Sequence, residues 1–230
     1  MEKNKVFIID GDSDYEKLFT SNGWEITNSI VDADLVQFTG GADVSPSLYD
    51  EARHAHTWPD PNRDKREEVI YNQAQEMGIP CAGICRGGQF LNVMNGGRMY
   101  QHVNNHGRPH KAVVLGLTDP IIVSSTHHQM MRPNEHVDHI VLMTATEATR
   151  REWMGKFQSV HEITPFSKDD TEVVYYPGTN CLCFQPHPEF NADAYGDMKE
   201  IYFFFINNYL LPNVTTEEIK ETSIDWDEVE

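Results

Sequence analysis

One cysteine in this chain sits where a nucleophile would be made. Gly83-Ile84-Cys85-Arg86-Gly87-Gly88-Gln89 flanks it with glycines, as a nucleophile elbow does when a sharp strand-to-helix turn exposes the reactive atom. A helix starting just after Cys85 points free N–H groups and the positive end of its dipole at the sulfur, which favours the thiolate. A small buried cysteine packed beside glycines would have the same local sequence, so the elbow alone leaves both readings open. A base and its orienter follow about a hundred residues later. Phe184-Gln185-Pro186-His187-Pro188-Glu189 puts an imidazole and a carboxylate two residues apart on extended chain, so both side chains face one way. His187 can take the thiol proton while Glu189 fixes its tautomer and stabilises the imidazolium.

The surrounding pattern says what must hold these groups. Val6 to Asp10, Asp34 to Thr39 and Ile79 to Ile84 are short apolar runs of the kind buried parallel strands show. Between them, Ser13-Asp14-Tyr15-Glu16 offers a capping box for a helix ending at Gly23, and Arg63 to Met77 is an amphipathic helix closed by Gly78. Gly40-Gly41 marks a tight turn after the second strand, and Gly96-Gly97 ends the helix that starts behind Cys85. Alternating strands and helices predict an α/β fold, a mainly parallel central sheet with helices on both faces. The later half is richer in strands: Lys111 to Leu115, Pro120 to Ser124, Ile140 to Thr144, and a hairpin of Val173 to Tyr176 and Cys181 to Gln185 around Pro177-Gly178-Thr179-Asn180. A last helix, from about Asp193 to Leu211, is apolar nearly all round and stops at Pro212. Residues 1–211 read as one catalytic domain and 212–230 as an acidic tail.

Bulk properties narrow the function. A net charge of -18 over 230 residues, with Lys and Arg scattered, repels phosphate backbones and argues against nucleic acid. No apolar run approaches the roughly 20 residues of a membrane-spanning helix. Four cysteines are too few for a disulfide framework, and the N-terminus leads straight into a strand, so a cytoplasmic chain with reduced thiols is expected. Histidines His54, His56, His102, His106, His110, His127 and His128 raise the question of a metal, but their spacings follow no finger-type pattern, and the reading takes no metal and no organic cofactor. Cys181 and Cys183 alternate along a strand as packing, and Cys81 lies four residues from Cys85, which is not a redox pair.

The elbow together with Pro186-His187-Pro188-Glu189 resembles the class I glutamine amidotransferase superfamily. Thr39 to Tyr49, Pro61-Asn62-Arg63-Asp64, Gly96 to Gln101 and Ser124-Ser125-Thr126-His127-His128-Gln129 are similar to its γ-glutamyl hydrolase branch, especially the γ-glutamyl-γ-aminobutyrate hydrolases. The resemblance runs from about Val6 to Leu211 and implies a flavodoxin-like fold. It also implies an oxyanion hole from the backbone N–H groups of Gly41 and Arg86. Gln89 is then expected on the glutamyl group, and Ser125, Thr126, His127, His128 and Gln129 along its α-amino and carboxylate ends. Two departures stand out: a shorter N-terminal region, and Phe184-Gln185-Pro186 in place of Val-Gln-Trp, a change next to the expected leaving-group pocket. The implied substrate is a small γ-glutamyl amine hydrolysed through a thioester. The alternative is glutamine, with ammonia passed to a partner synthetase, and a homodimer stays open.

Overall fold

The computed structural model describes residues 3–147, 149–163, 170–190 and 198–211. In chain order the elements are β1 (Lys5–Ile9), α1 (Ser13–Thr20), β2 (Glu25–Ile26), β3 (Leu35–Phe38), α2 (Pro61–Met77), β4 (Cys81–Ile84), α3 (Arg86–Met94), β5 (Arg98–Tyr100), β6 (His102–Val103) and β7 (His110–Val114). They continue as β8 (Ile121–Val123), β9 (Met130–Arg132), β10 (Ile140–Ala145), β11 (Arg151–Met154), β12 (Val160–Ile163), β13 (Thr171–Tyr176), β14 (Cys181–Phe184) and α4 (Met198–Phe205), which runs on into a π turn at Ile206–Leu210.

The main sheet has the order β2-β1-β3-β4-β14-β13-β10-β7-β8, with β5 attached through β9 to β13. From β2 to β14 every neighbour pair is parallel, and from β13 onward every pair is antiparallel. The expected mainly parallel α/β sheet is therefore its first half, and the expected hairpin is β13–β14. Parallel strands are covered on both faces, and β3, β4 and β14 are buried at every residue, as their unbroken apolar runs require. One face packs against α1 and α4, where Phe184 meets Tyr202 and Phe205 edge-on at ring distances of 5.0 and 6.4 Å. The other face packs Phe38, Phe90, Tyr71 and Tyr176 under α2 and α3.

Three details differ from the sequence expectations. Helix α1 is capped one residue earlier, by Asp12, whose carboxylate accepts from the Asp14 N–H at 2.9 Å. Helix α2 begins at Pro61 and not Arg63, because Asp60 caps it and proline suits the first turn. A second, three-stranded antiparallel sheet, β12-β11-β6, was not foreseen: Val160–Ile163 is exposed throughout and shows no buried face to signal a strand. The part of the last helix expected over 193–197, and the acidic tail 212–230, lie outside the described residues. No helix among the described residues is long and apolar enough to cross a membrane.

Candidate active site

Cys85 occupies the turn between β4 and α3 at φ 51°, ψ -112°, a conformation that non-glycine residues avoid and that persists only where the surroundings enforce it. The enforcement is close backbone packing. A Cβ on Gly83 would lie 2.3 Å from the Gly87 carbonyl, and one on Gly87 would lie 2.4 Å from the Phe38 oxygen. Only glycine at both positions lets α3 sit this tightly on β3 and β4. The Cys85 N–H donates to the Phe184 carbonyl at 2.7 Å, which joins the elbow to the end of β14 and hence to the segment carrying His187.

His187 and Glu189 face one way, as their spacing predicts. His187 Nδ1 lies 2.6 Å from Glu189 Oε1 and Nε2 lies 3.0 Å from the Thr126 hydroxyl, and Cys85 is close enough to act on the same ring. Burial opposes a charge on this imidazole, but Cys85 and Glu189 outweigh it and raise the pKa from 6.5 to about 10. The Phe190 ring stacks on the imidazole at 4.3 Å, and the Ser124 hydroxyl clamps the His187 backbone, donating to its carbonyl at 3.1 Å and accepting from its N–H at 2.8 Å. Tyr15, on α1, accepts from the Gly40 N–H at 2.9 Å and faces Glu189; burial, then that carboxylate, hold its pKa far above the usual tyrosine range.

The loop after β3 carries the expected oxyanion donor. Gly41 has φ 144°, and a Cβ there would lie 2.2 Å from Arg63 Nη1, so the position demands glycine. Among the described residues, no hydrogen bond from the Gly41 or the Arg86 N–H to a protein acceptor is seen, whereas the Gly40 N–H is occupied by Tyr15. Two buried guanidiniums hold this loop. Arg63 donates to the Gly40 carbonyl at 2.8 Å and the Thr39 carbonyl at 2.9 Å, while Arg86 donates to the Ala42 carbonyl at 3.2 Å. Glu67 pairs with both guanidiniums and Asp64 with Arg86. Burial, with Arg63 nearby, lowers the Arg86 pKa to about 10. Alanine at Gly41 keeps the N–H, but its Cβ would meet Arg63 Nη1 and push the loop aside; if that N–H stabilises an oxyanion, Gly41→Ala lowers kcat by up to about 100-fold, the effect of losing one such donor. Steady-state kinetics check this, and unchanged kcat removes Gly41 from the site.

The expected substrate-lining residues divide into two groups. Thr126 is exposed and reaches His187, and His128 is half-buried with Nε2 3.3 Å from Asp43 Oδ1 and its ring 5.4 Å from that of the exposed Trp58. Ser125, His127 and Gln129 are buried: Ser125 donates to the His106 carbonyl, His127 Nδ1 lies 2.8 Å from the Gln129 carbonyl, and Gln129 donates to Thr57 at 3.1 Å. Gln89 is buried too, its amide donating to Gln185 at 3.1 Å. Of the departures from the family pattern, Phe184 points into the α4 face of the core, and Pro186 directly precedes His187. Sequence reasoning gave no role to Tyr15, Ser124, Arg63, Asp64 or Glu67, although Ser124, Arg63 and Asp64 lie in segments that carry the family resemblance, and Arg63 and Glu67 stand four residues apart on one helix.

A parallel α/β sheet with a cysteine elbow at one strand end and a His-x-Glu pair at the next strand defines the class I glutamine amidotransferase-like superfamily. The fold agrees with a glutamine amidotransferase structure from Thermotoga maritima, which superimposes with TM-score 0.56 at 14% identity, covering 100% of this chain and 94% of that one. Within that superfamily the chain belongs to the Peptidase C26 family, whose pattern matches residues 19–189. It is 35% identical over 128 residues to a glutamine amidotransferase-like protein, YvdE, of Lactococcus lactis, covering 46% of this chain and 54% of the relative. It is 29% identical over 143 residues to Gamma-glutamyl peptidase 2 of Arabidopsis thaliana, covering 62% of this chain and 50% of the relative. The chain spans about half the length of these curated relatives.

Proposed function

We propose that this chain is a cysteine-dependent hydrolase of γ-glutamyl amide bonds. The observation that carries this reading is that Cys85, at the elbow, and Glu189 both act on the buried His187 imidazole. The Cys85 thiolate attacks the γ-carbonyl, a C–S bond forms, and the oxyanion sits on the two N–H groups. His187 then gives its proton to the departing nitrogen as the C–N bond breaks. Water next loses a proton to His187 and attacks the thioester, and the C–S bond breaks to leave glutamate and the free thiolate. No cofactor takes part in these steps. Membership of the Peptidase C26 family and the likeness to a γ-glutamyl peptidase support the γ-glutamyl half of the substrate.

The raised pKa of His187 has a direct consequence for stability. Since the folded value of about 10 exceeds the ordinary 6.5, the charged imidazole contributes its full stability below pH 6.5, and that contribution is lost as the pH climbs through about 10. Cys85→Ala removes the strongest interaction favouring the charge and moves this loss to lower pH. Nitrogen NMR of His187, with urea midpoints across the same range, checks this; an imidazole titrating near 6.5 in the wild-type chain contradicts it.

The function itself is tested by incubating the isolated chain with glutamine and with a panel of γ-glutamyl amines. Faster release of glutamate from a γ-glutamyl amine than from glutamine is the expected result. Preference for glutamine, or turnover only with a second protein, replaces this reading with that of an ammonia-delivering glutaminase subunit.

A further inference from the structure

Three buried ligand atoms converge beside the segment that carries Thr126. His106 Nδ1, His127 Nε2 and a Glu172 carboxylate oxygen lie within 4.8 Å of one another, and the three side chains are buried. None of His106 Nδ1, His127 Nε2 and Glu172 Oε2 has a hydrogen-bond partner among the described residues. Unpaired buried polar atoms are rare, and three pointing at one place call for a shared partner.

The tautomers say what kind of partner. His127 Nδ1 lies 2.8 Å from the Gln129 carbonyl, which can only accept, so that nitrogen carries the proton and Nε2 presents a lone pair. His106 Nε2 lies 3.0 Å from Asp170, whose carboxylate also accepts from the Thr149 N–H at 3.1 Å and hydroxyl at 2.9 Å, so Nε2–H donates and Nδ1 presents its lone pair. Glu172 Oε1 is already held by His110 Nε2 at 2.8 Å. Two imidazole lone pairs and a carboxylate oxygen thus face one another with no donor between them. Each imidazole has its far nitrogen on an oxygen acceptor, the arrangement that orients histidines toward a metal.

We propose that His106 Nδ1, His127 Nε2 and Glu172 Oε2 bind one divalent transition-metal ion of the zinc type. Nitrogen and carboxylate oxygen ligands at roughly 2.0–2.2 Å suit such an ion, and tetrahedral placement puts ligand atoms roughly 3.3–3.6 Å apart. His106 Nδ1 is 3.4 Å from Glu172 Oε1 and His127 Nε2 is 4.0 Å from Glu172 Oε2, so a rotation of the carboxylate that turns Oε2 toward both imidazoles closes the set. Charge agrees: Asp170 is paired with Arg151, whereas the ion-pair partners of the Glu172 carboxylate among the described residues are His106, His110 and His127. A cleft of about 390 Å³, lined in part by His106, His110, Arg108, Lys111 and Glu147, lies beside the cluster. The three ligands come from the stretch before β7, from the segment between β8 and β9, and from β13. A bound ion therefore ties the Thr126 segment to the sheet and acts as a brace, outside the proposed acyl transfer.

The test uses the full chain carrying Cys85→Ala, so that no reactive thiol competes, stripped of metal and titrated with cobalt(II) as a spectroscopic probe. One equivalent is expected to give visible absorption of four- or five-coordinate nitrogen and oxygen ligation. The signal is expected to be lost in the double variant His106→Gln/His127→Gln and kept in His56→Gln/His102→Gln, which alters a second pair of histidines whose rings stack 4.3 Å apart. Loss in the second pair and retention in the first overturns the inference. If the first pair does not fold, the Cys85→Ala chain still decides. Zinc at 100-fold over its Kd raises the unfolding midpoint by about 5–10 °C if it binds the folded state alone. No saturable binding and no shift means that only water or a proton joins the three atoms, and the metal site is wrong.

Discussion

Cys85→Ala is expected to reduce turnover of any γ-glutamyl substrate by at least about 10⁴-fold while the chain still folds, because a triad without its nucleophile retains only binding and the oxyanion donors. The fold should tolerate the change. Alanine keeps the Cβ that cysteine already places at φ 51°, and the contacts that enforce the elbow come from Gly83, Gly87 and the Phe184 carbonyl. His187→Ala should be nearly as damaging. Glu189→Gln should be milder, since it removes an orienter 2.6 Å from the imidazole and leaves sulfur and base in place. Steady-state rates of the three purified variants, each with a circular dichroism spectrum, give the ranking. Appreciable activity in Cys85→Ala removes the nucleophile assignment.

Arg86→Met is expected to have the largest effect on stability. Arg86 is 1% exposed and pairs with Asp64 and Glu67, which are 2% and 0% exposed. Taking away the cation leaves carboxylates in the interior, which costs about 3–5 kcal/mol when one partner of a buried pair is removed. At roughly 2–4 °C per kcal/mol for a chain of this size, the midpoint of thermal unfolding falls by about 6–20 °C. Activity should fall as well, because the same guanidinium holds the Ala42 carbonyl beside Gly41. Arg86→Lys keeps a charge but loses the fork that reaches Asp64, Glu67 and Ala42 together, so an intermediate loss is expected. Urea denaturation measures both variants; a change below about 1 kcal/mol for Arg86→Met contradicts the view that this ion cluster supports the site.

What was legible in the sequence was local. The elbow shows because its glycines must sit within a few residues of Cys85, and the His187 and Glu189 pair shows because alternation on extended chain needs a spacing of two. The parallel half of the sheet shows because strands buried on both faces leave unbroken apolar runs. Groups that meet only through folding left no such mark. Tyr15 reaches the loop after β3 from α1, and the Arg63 and Arg86 guanidiniums converge on it from different helices. His106, His127 and Glu172 come from three separate segments, so their spacing could not announce a cluster. The small β12-β11-β6 sheet was hidden for the opposite reason: an exposed strand such as Val160–Ile163 carries no buried face to give it a period. The capping residue of α1 was displaced by one because Asp12 and Ser13 are both able to cap, and only the backbone conformation chooses between them.

The central claim is that Cys85 carries the γ-glutamyl group as a thioester, and the most direct measurement is to catch it there. The wild-type chain, mixed with a γ-glutamyl amine and quenched in acid during turnover, is analysed by intact mass and then by peptide mapping. The expected result is a mass increase of one glutamyl group located on the peptide that contains Cys85, formed as fast as the amine is released and absent from Cys85→Ala. Turnover with no such adduct, or an adduct on another residue that forms at the rate of the reaction, would contradict it.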